Sequence, residues 1–268
     1  MRDSSNPIGV FDSGVGGLTV MDAIMRRLPD ESLIYLGDTA RVPYGTKSAD
    51  TVIRYARSCA GILVERGIKL LVVACNTASA YAIDALSKEL DIPVLGVIEP
   101  GARRAVAATG SGRIGVIGTV GTIRSERYQK VIKALAPASH VFCKACPLFV
   151  PLAEEGWTTG SVPLLTASAY LSELLHQEID TLVLGCTHYP LLKRTIAETV
   201  GANVALVDSA EATSEAVCEA LSEQGLLQDA NSTAKRTFLV TDDPDSFART
   251  GRRFLNDAIT SIEWVDVT

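Results

Sequence analysis

The chain has 268 residues, of which 47% are hydrophobic, and a formal net charge of −6. That length suits one large domain or two modest ones with a real core. The acidic balance leaves no basic surplus to neutralise phosphates, so a nucleic-acid binder is not expected.

The opening stretch MRDSSNPIG has no apolar signal-peptide core, and no later run is long enough to span a bilayer. A cytoplasmic protein that handles small molecules and does not enter a membrane is expected. In a reducing compartment its six cysteines read as thiols, ligands or catalytic groups, not as a disulfide framework.

Short apolar runs at 8–11, 32–36, 69–74, 93–97, 113–117, 180–185, 204–207 and 236–240 predict strands. Several are continuous Val/Ile/Leu runs, as parallel strands covered on both faces require. Amphipathic segments lie between them. In 48–66, Val52, Tyr55, Ala56, Cys59, Ile62 and Leu63 share one helical stripe. The alternation predicts an α/β fold. Residues 225–235 read as a loop. A last strand and the helical pattern DPDSFARTGRRFLN follow, with an aspartate as N-cap candidate.

The chain also echoes itself. IGVFDSGVGG at Ile8 returns as IGVIGTVGT at Ile114, and LVVACNT at Leu71 returns as LVLGCTH at Leu182, offsets of 106 and 111 residues. Each half then has a glycine-containing turn followed by a strand-end cysteine, which predicts two similar α/β units.

Open α/β sheets bind ligands beyond the carboxyl ends of their strands. Cys75 and Cys186 fall there. Asn76 and Thr187 are expected to open helices whose amides favour a thiolate or a substrate carboxylate. Cys59 and Cys218 sit in apolar helical stripes and read as core. Cys143 and Cys146 form a C-x-x-C that, with Cys186 and His188, could make a zinc site, although C-x-H is a poor zinc spacing. Asp12 and Ser13 end the first strand before a glycine turn, FDSGVGG, able to cradle an anion; Asp12 is there a helix cap or a proton acceptor. His188 alternates with Cys186 and could assist its ionisation. His140 and His176 read as solvated, Glu154 as a loop carboxylate, and LGDTARVPYG as a loop or a pocket wall.

Together these pieces resemble the glutamate racemases of the cofactor-independent aspartate/glutamate racemase superfamily. The carriers are GVFDSGVGGLTV, LGDTARVPYG, VVACNTASA, GVIEPG, VIGTVGTIRS, CPLFVPLAEEG and LGCTHYPLL, in that order. The resemblance implies two flavodoxin-like α/β domains with largely parallel sheets, related by a pseudo-twofold, around one active-site cleft. Residues 1–97 plus 208–268 are expected to form the first domain and 98–207 the second.

It further implies L/D interconversion of glutamate for peptidoglycan synthesis, with no cofactor and no metal. Inverting Cα needs a proton taken from one face and returned to the other, hence two bases. By resemblance these are Cys75 and Cys186. Asp12 is expected to assist Cys75, and His188 with Glu154 to assist Cys186. Ser13, Tyr44, Gly45, Asn76, Thr77, Thr119, Thr122 and Thr187 are expected to hold the substrate.

A homodimer is the implied assembly. The few residues before the first strand leave no room for the long extension of some relatives, so activation by a nucleotide precursor is not expected. Aspartate racemisation is the nearest alternative. Binding of DNA gyrase, a property of some relatives, has no mark in this sequence.

Overall fold

The computed structural model describes residues 3–230, 232–255, 259 and 261–267. The first half contains β1 (Ile8–Asp12), α1 (Leu18–Arg27), β2 (Leu33–Gly37), α2 (Ala49–Glu65), β3 (Leu70–Val73), α3 (Asn76–Glu89) and β4 (Val94–Gly96). Helix α4 (Ile98–Ala108) leads into β5 (Arg113–Gly118), α5 (Val120–Arg124), α6 (Arg127–Leu135), β6 (His140–Ala145), α7 (Phe149–Glu154), α8 (Ser161–Leu175), β7 (Thr181–Gly185), α9 (Lys193–Val200) and β8 (Ala205–Asp208). The chain then runs through α10 (Ser209–Glu223), β9 (Arg236–Val240), α11 (Pro244–Gly251) and β10 (Ile262–Trp264). The expected helical pattern after the last turn reaches Asn256, which lies outside the described residues.

All strands pair in parallel, in two sheets. The first has the order β10-β9-β2-β1-β3-β4 and the second β6-β5-β7-β8. Each therefore contains the order second–first–third–fourth of its own half, so the sequence echo is an echo of topology. In such doubly wound sheets the chain turns opposite ways from the first and third strands, which leaves a crevice at their carboxyl ends.

Side chains alternate between faces, and both faces are covered. In β1, Ile8 and Val10 join one cluster with Tyr35, Leu70 and Val72, while Phe11 joins Leu36, Leu71 and Val73 on the other face. In the second sheet, Leu182 and Leu184 face that first cluster and Val183 faces Ile114 and Val116. Burial on both faces explains the near-continuous apolar runs.

Two strands were not expected. The edge strand β6, HVFCKA, mixes charge with apolar residues because it is only partly covered, and β10 is three residues long. Two local expectations are also corrected. Thr187 does not open a helix: a 3-10 turn at Tyr189–Leu192, with Pro190 near its start, precedes α9. Glu154 is not in a loop but ends α7. Pro151 is tolerated there because the first turn of a helix has no intrahelical acceptor for its N–H groups. Cys59 is buried as expected, whereas Cys218 is only half-buried. Among the described residues no helix is long and apolar enough to cross a membrane.

Candidate active site

Strand register brings the chemistry together. Phe11 pairs with Val73, and the Ala74 amide donates to the Phe11 carbonyl at 2.8 Å. Asp12 and Cys75 therefore leave the first sheet side by side. In the second sheet Gly118 pairs with Gly185, so Thr119 and Cys186 leave it in the same way. The turn after β1 then meets the turn after β7. The Thr19 hydroxyl donates to the Thr187 carbonyl at 3.0 Å, and a Cβ on Gly16 would stand 2.4 Å from His188 Cε1. Only glycine permits that approach.

A cavity of about 370 Å³ opens between the halves. Cys75 and Cys186 both line it, 6% and 5% exposed respectively. Ser13, Tyr44, Gly45, Asn76, Thr77, Thr119, Thr187, His188 and Glu154 also line it. Asp12 and Thr122 stand just behind the wall. Asp12 is fully buried and accepts from the Gly14 amide at 2.9 Å, while its Oδ1 has no partner among the described residues. Thr122 completes a triangle of hydroxyls, 3.2 Å from Thr77 and 3.0 Å from Thr119, with Thr77 and Thr119 2.9 Å apart.

Each thiol has its own ionisable neighbour. Cys75 caps α3, its Sγ accepting from the Ala78 amide at 3.4 Å. Burial, then the nearby Asp12 charge, pushes this thiol up to about 12, against the Ser13 hydroxyl and the Ala78 amide. Burial also raises Asp12, against the charge of His188 and the amides of Gly14, Gly17 and Ser13. On the other side, Cys186 Sγ lies 3.8 Å from His188 Nδ1, and His188 Nε2 lies 2.9 Å from Glu154 Oε1. Burial opposes the imidazolium, but Cys186 and Glu154 outweigh it and His188 is pushed up to about 10. At neutral pH the first site thus holds a protonated thiol, and the second a cationic imidazole beside a sulfur.

Asn76 accepts from the Tyr128 hydroxyl at 2.8 Å, and its buried Nδ2 has no partner among the described residues. That donor and the three threonine hydroxyls can hold carboxylate oxygens.

Val42 and Pro43, from the LGDTARVPYG stretch that reads as a loop or a pocket wall, form the apolar part of the wall together with Pro147, Val150 and Pro151, which sequence reasoning missed. The repeated prolines of PLFVP were the available signal. Sequence reasoning also missed Tyr128 and Phe254. The alternative zinc cluster does not form: Cys146 and Cys186 belong to one core cluster and Cys143 packs against another. No group of three or more His, Cys, Asp or Glu able to hold a metal occurs among the described residues.

Residues 8–217 match the family model for Asp/Glu/hydantoin racemase, leaving the C-terminal segment outside the matched span. A glutamate racemase of Geobacter metallireducens is 59% identical over 260 residues, covering 97% of this chain and 96% of that one. The crystal structure of glutamate racemase isoform RacE1 from Bacillus anthracis superposes with a TM-score of 0.95 at 42% identity, covering 98% of both chains. That of the Francisella tularensis enzyme in complex with D-glutamate gives 0.92 at 39% identity, again over 98% of both. On its paired half-sheets, its site and these likenesses, the chain belongs to the Asp/Glu/hydantoin racemase family and is an isomerase.

Proposed function

We propose that this racemase interconverts L- and D-glutamate, moving the Cα proton between Cys75 and Cys186. The observation that carries the reading is one cavity with two thiols, one from each half of the chain, each with its own acid–base neighbour. A single base returns a proton to the face it came from; two bases on either side of Cα invert it.

In one direction Cys75 gives its proton while Cys186 takes one, and in the other the roles exchange. Asp12 serves Cys75. His188, oriented by Glu154, donates to and balances charge at Cys186. The hydroxyls of Ser13, Thr77, Thr119, Thr122 and Thr187, with Tyr44, Gly45 and Asn76, hold the two carboxylates. The apolar wall keeps water away from the developing carbanion, where fixed donors act most strongly.

Glutamate is favoured as substrate by the activity of the relatives above, and by the crystal structure of one of them with D-glutamate. We infer further that the D-glutamate serves peptidoglycan synthesis and that the enzyme is a cytoplasmic homodimer. Light scattering on the purified chain tests the assembly.

The activity is tested by incubating the protein with L-glutamate, and separately with L-aspartate, in deuterated water. Chiral chromatography with mass detection should show D-glutamate carrying deuterium at Cα from the first turnovers, and far less conversion of aspartate. D-glutamate without deuterium would remove the two-base reading, and preferential turnover of aspartate would remove the substrate.

A further inference from the structure

His188 is held on more sides than its two nitrogens require. Nδ1 faces Cys186 and Nε2 faces Glu154, and the Gly16 backbone closes one side. Nδ1 also lies 3.4 Å from the Thr187 hydroxyl, and a further contact comes from the C-terminal segment, outside the residues that the family model matches. The ring of Phe254 meets the imidazole edge-on, with centroids 5.2 Å apart and planes at 81°. Such an arrangement suits the quadrupole of an aromatic ring.

Phe254 is itself buried and anchored. Its amide donates to the Gly251 carbonyl at 2.9 Å. Gly251 lies close against α1, where a Cβ would stand 3.0 Å from Leu18 Cδ1. The preceding residue, Arg253, packs on the turn after α7: a Cβ on Gly156 would meet its Nε at 3.2 Å. The turn just after α11 thus touches the imidazole and also the turn that follows Glu154.

Resting on the reading of His188 as the assistant of Cys186, we propose that Phe254 is a positioning residue for racemisation, fixing the plane of the His188 ring so that Nδ1 stays aimed at the Cys186 sulfur. Phe254 does not line the cavity itself. Without the ring edge, the imidazole keeps its hydrogen bond to Glu154 but can tilt about it toward the side away from Gly16. A small misalignment of a proton donor is costly because transfer depends steeply on geometry.

The test compares Phe254→Leu, which keeps buried apolar volume, with Phe254→Tyr, which keeps the ring, each in the wild-type and in the His188→Gln background. In the wild-type background Phe254→Leu should lower kcat roughly tenfold, with the KM for glutamate changed less than about twofold. Phe254→Tyr should keep most of the activity. In the His188→Gln background Phe254→Leu should cost nothing further, because the ring it positions is gone.

An equal loss in both backgrounds, wild-type kcat in Phe254→Leu, or a loss expressed in KM alone overturns the proposal. If Phe254→Leu does not fold, Phe254→Met replaces it in the same cycle. If His188→Gln alone keeps full kcat, the reading of His188 falls and this inference with it. If only Phe254→Leu is silent, the inference falls alone.

Discussion

At the scale of single residues, the two thiols are unlike because their neighbours are. Cys75 shares its burial with a carboxyl group, and that environment keeps its proton. Cys186 faces an imidazole that is itself held by Glu154. Replacing either thiol by alanine should therefore stop racemisation in both directions, a loss of at least about a thousandfold. Polarimetry from each enantiomer checks this, and substantial turnover in either variant removes that cysteine as a base. The histidine makes a second prediction. Its proton is held more tightly in the folded chain than in the unfolded one, about 10 against 6.5. The stability it contributes is whole below pH 6.5 and is lost as pH rises through 10. The difference in melting temperature between the wild type and His188→Gln should narrow across that window. A gap that stays constant or widens with pH contradicts the assignment.

At the scale of elements, much of the site was legible because it sits where strands end. Continuous apolar runs marked β1, β3, β5 and β7, and the residues just past them are Asp12, Cys75, Thr119 and Cys186. What was not legible depends on partners distant in the chain. Nothing near Phe254 in sequence says that it meets His188, and nothing near Asn76 announces Tyr128. The edge strand β6 escaped notice because partial cover lets polar residues into it, so it lacks the run that betrayed the central strands. Glu154 reads from sequence as a loop carboxylate, yet it ends α7, whose Pro151 falls in the first turn, where proline is harmless. The turn between β1 and α1 supplies the element-scale prediction. A Cβ on Gly16 would stand 2.4 Å from both His188 Cε1 and Thr187 Oγ1. Gly16→Ala must push the two turns apart and so should reduce kcat/KM by about a hundredfold. Its circular dichroism spectrum should stay that of the wild type, since the strands behind the turn are unaffected. An active Gly16→Ala enzyme would mean that the turns separate without disturbing the imidazole.

At the scale of the whole molecule, the cavity that Cys75 and Cys186 line is also the seam between two similar halves. Thr77 belongs to the first half, and Thr119 and Thr122 to the second, yet their hydroxyls form one triangle. Three hydroxyls in a ring can each give one proton to the next, and each can turn that proton to an incoming carboxylate. On the proposed reading, a substrate carboxylate held by that triangle ties both halves at once. A ligand that binds only the folded protein stabilises it by RT ln(1 + L/Kd), with L the free ligand concentration, so the gain grows with the logarithm of that concentration above Kd. Saturating glutamate should therefore raise the melting temperature of the wild type by several degrees. Thr77→Val removes the hydroxyl of the first half while nearly preserving shape. It should leave the ligand-free melting temperature within a few degrees of wild type, raise KM roughly tenfold, and cut the glutamate-dependent shift by about half. Differential scanning fluorimetry with and without glutamate separates the outcomes. If Thr77→Val keeps the full shift, the hydroxyl triangle does not join substrate to both halves, and the second half alone supplies the grip.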